Sequence, residues 1–178
     1  MTPVNDPSRA DPNAPHAPHA AGPPEDDDTV DSGSHADDEA AIFHHGVILF
    51  NEHDFFEAHE VWEDIWRQVS GERKRFYQGL IQLAVTLEHI RRGNPRGVRS
   101  VWETCVPKFD NLPPVYMGIA VHELVDAVRT IVQPVLDLPA ERFSPKLPRG
   151  QTLPADLSEA PTMHLQYDPF ADDAPDLP

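Results

Sequence analysis

The stretch Phe55–Trp66, FFEAHEVWEDIW, carries an imidazole and a carboxylate, His59 and Glu63, one helical turn apart. Side chains at i and i+4 of a helix share a face, about 6 Å apart. At that spacing a neutral imidazole and a carboxylate can hold one divalent ion between them, and the pair suits zinc, iron or manganese. They can also act without metal as an acid–base pair, with burial raising the carboxyl pKa of Glu63. The alternative is a buried His–Glu–Gln hydrogen-bond network, with the pair tied to Gln78 or Gln82, that fixes helix register in a non-catalytic interaction or dimerisation module. Wheeled at about 100° per residue, Phe55, Ala58, Trp62, Ile65, Trp66 and Val69 fill one arc, and His59 falls inside it. Two ionisable groups therefore stand where apolar side chains are expected.

Two donors do not make a metal centre, so a third must come from another helix. The apolar stretch 72–92 offers it, because Gln78, Gln82 and His89 project along one line with Val85 between them. The expected metal set is His59, Glu63 and His89. The expected pocket around it is Trp62, Trp66, Glu60, Gln78 and Gln82, with His53 and His122 as further donors. In the catalytic reading, His59 and Glu63 hold an ion whose bound water is activated for a hydrolase-like attack. His59–Glu60 begins like the H-E-x-x-H of zinc proteases, but Glu63 stands where the second His belongs, which excludes that reading.

The elements that must position these groups read as five helices. The first runs over Asp37–Phe50 with Asp37 or Asp38 as cap, and His44 and His45 are expected as one partly packed and one exposed residue. Asp54 caps the second, with Glu57 three residues on, and Ser70–Gly71 ends it. The third, Glu72–Arg92, is apolar on nearly every side and belongs at the bundle centre. Gly79 inside it implies close approach of a neighbouring helix. Gly93–Asn94–Pro95 supplies a helix stop, a cap and a first-turn proline. The fourth helix follows to about Asp110, shortened or kinked by Pro107. Leu112–Pro114 is an extended linker, and the fifth helix covers about Gly118–Leu136. No run alternates as a strand does. Short connections between helices give an all-α antiparallel bundle with disordered acidic, Pro-rich tails.

Phe50–Val106 resembles the domain of unknown function 309 family, a group of small bacterial and archaeal proteins. The resemblance rests on FNEHDFFEAHEVWEDIW with its H-x-x-x-E-x-x-W motif at His59, Glu63 and Trp66, on FYQGLIQLAVTLEH, and on the GNPRG turn. It covers about a third of the chain closely. It implies an α-helical bundle and a functional, metal-binding role for the motif, and it implies no substrate. The long tails stand outside the family pattern.

Composition divides the 178 residues in three: a tail over 1–37, a helical domain over 38–137, and a second, mostly disordered tail over 138–178. The tails hold 15 of the 20 prolines, and of the net −16 the three parts carry −7, −5 and −4. An acidic chain does not track phosphate backbones, which argues against bulk nucleic-acid or anionic-membrane binding. His16, His19 and His35 in the first tail read as solvated. Met163–Tyr167 and Phe170 are the one part of the second tail with the residues to dock on the core. Cys105 is alone, so no internal disulfide forms, which fits a reducing cytoplasm. No leader of cationic then apolar residues is visible, and the apolar run Leu80–Leu87 is too short to span a bilayer. The expected partners are a small-molecule ligand or a second copy in a homodimer.

A second feature is basic. Arg91, Arg92, Arg96 and Arg99 flank the Asn94–Pro95 helix start, and Arg92 with Arg96 form an anion-binding option there. Arg73–Lys74–Arg75 reads as a solvated first turn.

Overall fold

The computed structural model describes residues 32–176, with side chains from Asp38 onward. The expectations for residues 1–31 and for the side chains of His16, His19 and His35 lie outside what is described, whereas residues 32–37, expected as tail, form the first turns of a helix. Five α-helices are present among the described residues: α1 (Ser32–Asn51), α2 (Phe55–Trp66), α3 (Gly71–Arg91), α4 (Pro95–Cys105) and α5 (Val121–Leu136). A two-residue hairpin, β1 (Val115–Tyr116) and β2 (Ile119–Ala120), precedes α5. The all-α reading holds, and α1 opens at Ser32, ahead of the expected cap.

The local signals do what their chemistry dictates. The Asp54 carboxylate accepts from the Glu57 N–H at the start of α2, and Oδ1 of the Asn94 side chain accepts from the Gly97 N–H at the start of α4. Gly71 and Gly93 take φ of 62° and 58° at the two helix junctions, a conformation open to glycine at no steric cost. Pro107 ends α4 at Cys105 and turns the chain into a short 3-10 helix over Val106–Lys108.

The start of α5 differs from expectation. Met117 and Gly118, at φ 48° and 74°, form the tight turn between β1 and β2, so the helix begins only at Val121. Two positive φ values in succession suit a two-residue hairpin, and Gly118 supplies one of them.

Helix α3 is the central rod, with α2 on one flank and α4 on the other; α1 lies against α2, and α5 against α4. Its core residues Phe76, Tyr77, Leu80, Leu83, Ala84 and Leu87 are fully buried. Between Phe76 and Ile90, the partly exposed positions are Gln78, Gln82, Val85 and His89. The polar line expected from the sequence is thus the open edge of a buried helix. Gly79 is filled by the Phe109 ring and not by a neighbouring helix backbone, and the Cys105 thiol donates to the Gly79 carbonyl at 3.5 Å.

The expectation of a mostly disordered segment from residue 138 does not hold for Leu138–Asp176. This segment is an extended strap across the bundle. Met163 N donates to Asn51 Oδ1 at 2.6 Å, and Asn51 Nδ2 donates to the Met163 carbonyl at 2.9 Å. Gln166 N reaches the Gly118 carbonyl at 2.8 Å, and Gly150 N and Gln151 N reach the carbonyls of Arg92 and Gly93, each at 3.0 Å. Ala160 and Met163 are buried, and the Phe170 ring meets Phe43 and His44. The physical reason is that the strap adds its apolar groups to a core that already exists, so no helix of its own is needed.

Candidate functional site

Helix α2 sets the frame. Phe55, Ala58, Trp62 and Ile65 are buried against the core. Trp62 is core, its indole donating to the Phe43 carbonyl at 3.4 Å and its ring filling the space beside Gly46. The next stripe round the helix holds Phe56, His59, Glu63 and Trp66. Its ends are pinned to α3: Arg92 lies over the Phe56 ring at 5.3 Å, and Lys74 over the Trp66 ring at 4.7 Å. Those two contacts bracket the α2–α3 seam. His59 and Glu63 lie between them on one side, and Gln78, Gln82 and Val85 on the other.

The seam does not assemble the expected metal set. The His59 side chain is only 13% exposed, and its Nε2 lies 2.8 Å from Glu60 Oε1; its ring also meets Phe56 edge-on. Glu63 is 35% exposed and pairs outward with Arg67 at 2.6 Å. His89 uses its Nδ1 on Asn94 Nδ2 at 3.2 Å. Each expected ligand has a different partner. Among the described residues no group of three or more His, Cys, Asp or Glu side chains is placed to hold an ion. A divalent ion needs three or four converging donors, and this donor set does not supply them. The buried His–Glu–Gln network fails for the same reason: Gln82 turns to α4, with Nε2 on Thr104 Oγ1 at 3.1 Å. A helix that presents i and i+4 side chains on one face does not oblige them to bond. Flanking Glu60 and Arg67 are equally close in sequence and win both partners.

The seam does hold polar atoms without partners. Nδ1 of His59, Nε1 of Trp66 and Oε1 of Gln82 are out of solvent with no hydrogen bond. Such groups cost about 1–3 kcal/mol each when unsatisfied. Nε of Arg73 and Nε of Arg75, in the first turn of α3, are unpartnered in the same way, whereas buried polar groups in native proteins are almost always paired.

Three neighbouring features were hidden in the sequence. Glu88 is buried, and its two oxygens receive Nε of Arg91, at 2.7 Å, and Nε of Arg92. Burial pushes its carboxyl up, but the hydrogen bonds from Arg91 and Arg92 prevail and hold it below the usual carboxylate range. Arginines at i+3 and i+4 of an acid in an apolar helix were the available signal. The strap, second, brings Arg149 beside Arg92 through the Gly150–Arg92 bond, which no periodicity announces. Third, Arg73–Lys74–Arg75 is not a solvated turn. Arg73 reaches Glu39 at 3.4 Å and covers Phe170, Lys74 covers Trp66, and Arg75 pairs with Glu72. Arg96, by contrast, makes no ion pair among the described residues, whereas Arg92 of the expected Arg92–Arg96 anion pair is already bonded to Glu88.

Residues 43–101 match the family model described as Domain of unknown function (DUF309). An uncharacterized protein of Aquifex aeolicus (strain VF5) is 31% identical over 87 residues, 48% of this chain and 26% of that one. The uncharacterized protein YpuF of Bacillus subtilis (strain 168) is 47% identical over 47 residues, 26% of this chain and 27% of that one. The chain therefore spans about a quarter of the length of these curated relatives, 26% and 27%. The matched segment runs from α1 into α4 and contains the whole seam; the strap lies beyond it. No described helix is long and apolar enough to cross a membrane.

Proposed function

We propose that this domain is a non-catalytic binding module whose recognition face is the α2–α3 seam, continued onto α4. The observation that carries the reading is the set of three unpartnered buried polar atoms on His59, Trp66 and Gln82. A ligand or partner group seated there supplies the missing hydrogen bonds and recovers their desolvation cost. His59 then acts as a hydrogen-bonding residue oriented by Glu60, and Glu63 with Arg67 as a charged rim. The test is an NMR screen of small amide, carboxylate and alcohol fragments against the full chain. Expected are shifts at the Trp66 indole and the Gln82 side-chain amide, lost in Gln82→Leu. Fragments that leave both signals unmoved, or shift distant ones instead, overturn the reading.

A divalent ion is the second reading, favoured by one observation: His59 Nδ1 is unpartnered in a buried position. It requires Glu63 to leave Arg67 and turn inward. Metal analysis of untagged protein, with His59→Ala beside it, separates the two. Zinc, iron or manganese held in proportion to protein by the wild type and lost in His59→Ala favours the ion; metal absent from both favours the binding module.

A further inference from the structure

At the far end of the polar line, His89 is wired into a fixed chain. Asn94 Oδ1 accepts from the Gly97 N–H at 3.2 Å, so the same side chain presents its amide nitrogen to His89 Nδ1, also at 3.2 Å. A nitrogen that receives an N–H cannot carry the ring proton. The imidazole proton therefore sits on Nε2, which is a donor. Burial, helped by the charges of Arg149 and Arg92, holds the His89 pKa below its ordinary value, so the ring stays neutral with that tautomer. Gly97 is needed for this arrangement: a Cβ there would lie 2.5 Å from the His89 ring.

Two guanidiniums act on this ring through their charge: Arg92, one turn beyond His89, and Arg149, which the strap carries past the end of α3. Arg92 is anchored by its Nε on Glu88 and by its face over Phe56, which leaves both terminal nitrogens without a hydrogen bond among the described residues. Arg149 is exposed and is held beside Arg92 by the strap: Gly150 N bonds the Arg92 carbonyl and Gln151 N bonds the Gly93 carbonyl. Gly93 must be glycine, because a Cβ would collide with the Gln151 backbone. The result is a cationic corner on a chain of net charge −16.

We infer that His89, Arg92 and Arg149 form a site for the phosphate group of a phosphomonoester, completed by the strap from outside the DUF309 segment. Arg91 and Arg92 share the single charge of Glu88, so with Arg149 the corner keeps enough positive charge to balance a dianion, and an imidazole N–H added to two guanidinium forks suits a tetrahedral anion with three free oxygens better than a planar carboxylate with two. The preset tautomer of His89 avoids reorganisation when the anion arrives. The inference rests on the seam being a binding face, because His89 closes the same polar line. It adds the chemical class of the ligand at that end.

Titration of the full chain with inorganic phosphate, followed by NMR, tests it. Expected are saturable shifts at Gly97 and in the His89 ring, a response at least about tenfold weaker to acetate, and about tenfold weaker phosphate binding in Arg149→Ala. Arg149 is exposed, so its removal leaves the fold intact, and Arg129→Ala on α5 serves as the distant control. Equal phosphate binding in wild type and Arg149→Ala overturns the inference, as does no saturable response. Fragment shifts at Trp66 and Gln82 with no phosphate response at His89 overturn this inference alone; silence at both ends overturns the binding face as well.

Discussion

Glu63 and Arg67 face each other at 2.6 Å on the open flank of α2, with Asp64 bound to the same guanidinium at 2.9 Å. The motif carboxylate therefore belongs to a surface ion pair. Exposed pairs of this kind contribute about 0–1 kcal/mol, whereas breaking a buried one costs about 3–5 kcal/mol. Glu63→Gln is expected to lower unfolding free energy by less than about 1 kcal/mol, and a double-mutant cycle with Arg67→Ala is expected to give a small coupling that shrinks in salt. Urea unfolding of the four proteins measures it. A loss of several kcal/mol would place Glu63 in a buried network instead.

Asn51 and Met163, far apart in sequence, exchange two hydrogen bonds that clamp the strap to the end of α1. Asn51→Ala removes both and leaves the Met163 N–H and carbonyl without that partner. The expected loss is about 1–3 kcal/mol. Because Ala160, Met163 and Leu165 must also lift away for the strap to open, protease sites beyond residue 150 should become faster to cut, while helices α1–α4 stay protected. Limited proteolysis read by mass spectrometry distinguishes this local opening from global unfolding.

What was legible in the sequence follows from period. Helices α2, α3 and α4 carry caps, stops and a 3.6-residue pattern, and each signal has a local physical cause that tertiary contacts do not override. The strap was not legible as helix because its helical pieces are single 3-10 turns, Ala140–Phe143 and Leu157–Glu159, in otherwise extended chain. Its inward residues Gln151, Leu153, Ala155 and Leu157 alternate with exposed ones at a period of two, as do Pro161, Met163, Leu165 and Tyr167. That alternation was present in the sequence, but prolines and acids surround it, and only a finished core gives its few apolar groups somewhere to go. The site divides in the same way. The polar line on α3 could be read from spacing, because Gln78, Gln82 and His89 interrupt an apolar helix. The partners of His59 and Glu63 could not, since rotamer choice among neighbouring acids and bases is decided by geometry finer than helical phase.

Gly46 is expected to tolerate no side chain. A Cβ there would run into the Trp62 indole, and Trp62 is fully buried against α1. Gly46→Ala gains helix propensity of about 1 kcal/mol but forces the indole to shift, and overpacking costs typically about 1–3 kcal/mol. The net expectation is destabilisation, with a changed near-ultraviolet tryptophan signal. Increased stability with an unchanged spectrum would show that the core yields more easily than its packing suggests.

Cys105 should be unreactive while the protein is folded. Its side chain is fully buried, and desolvation raises the thiol pKa well above its ordinary value, with Lys108 opposing only weakly. The thiolate is the nucleophile, so a thiol reagent at pH 8 is expected to label Cys105 only as fast as the surrounding core opens. The rate should rise to that of a free thiol in denaturing urea. Prompt labelling of native protein would mean that the contact of α4 with Gly79 is loose.

Tyr77 sets an alkaline limit on stability. Burial raises its pKa above the ordinary 10.0, and the adjacent Glu39 carboxylate, which accepts its hydroxyl at 2.9 Å, raises it further against the opposing charge of Arg73. The sign follows from proton counting. Below pH 10 the phenol is neutral in both states and contributes no slope. Above it the unfolded chain loses the proton while the folded chain keeps it, so the unfolded state binds fewer protons and stability falls as pH rises, by up to about 1.4 kcal/mol per pH unit for this group. Tyr116, whose pKa burial also raises, adds to the same fall. Tyr77→Phe keeps the ring in the core beside Phe43 and Phe76 but has no proton to lose. Urea unfolding between pH 8 and 11, in about half-unit steps, is expected to show wild type losing stability more steeply than Tyr77→Phe, the two curves separating only past the ordinary tyrosine pKa. Parallel curves would show that the Tyr77 hydroxyl ionises as readily inside the bundle as in water, and the Glu39–Tyr77–Arg73 contact that joins α1 to α3 would then be open to solvent.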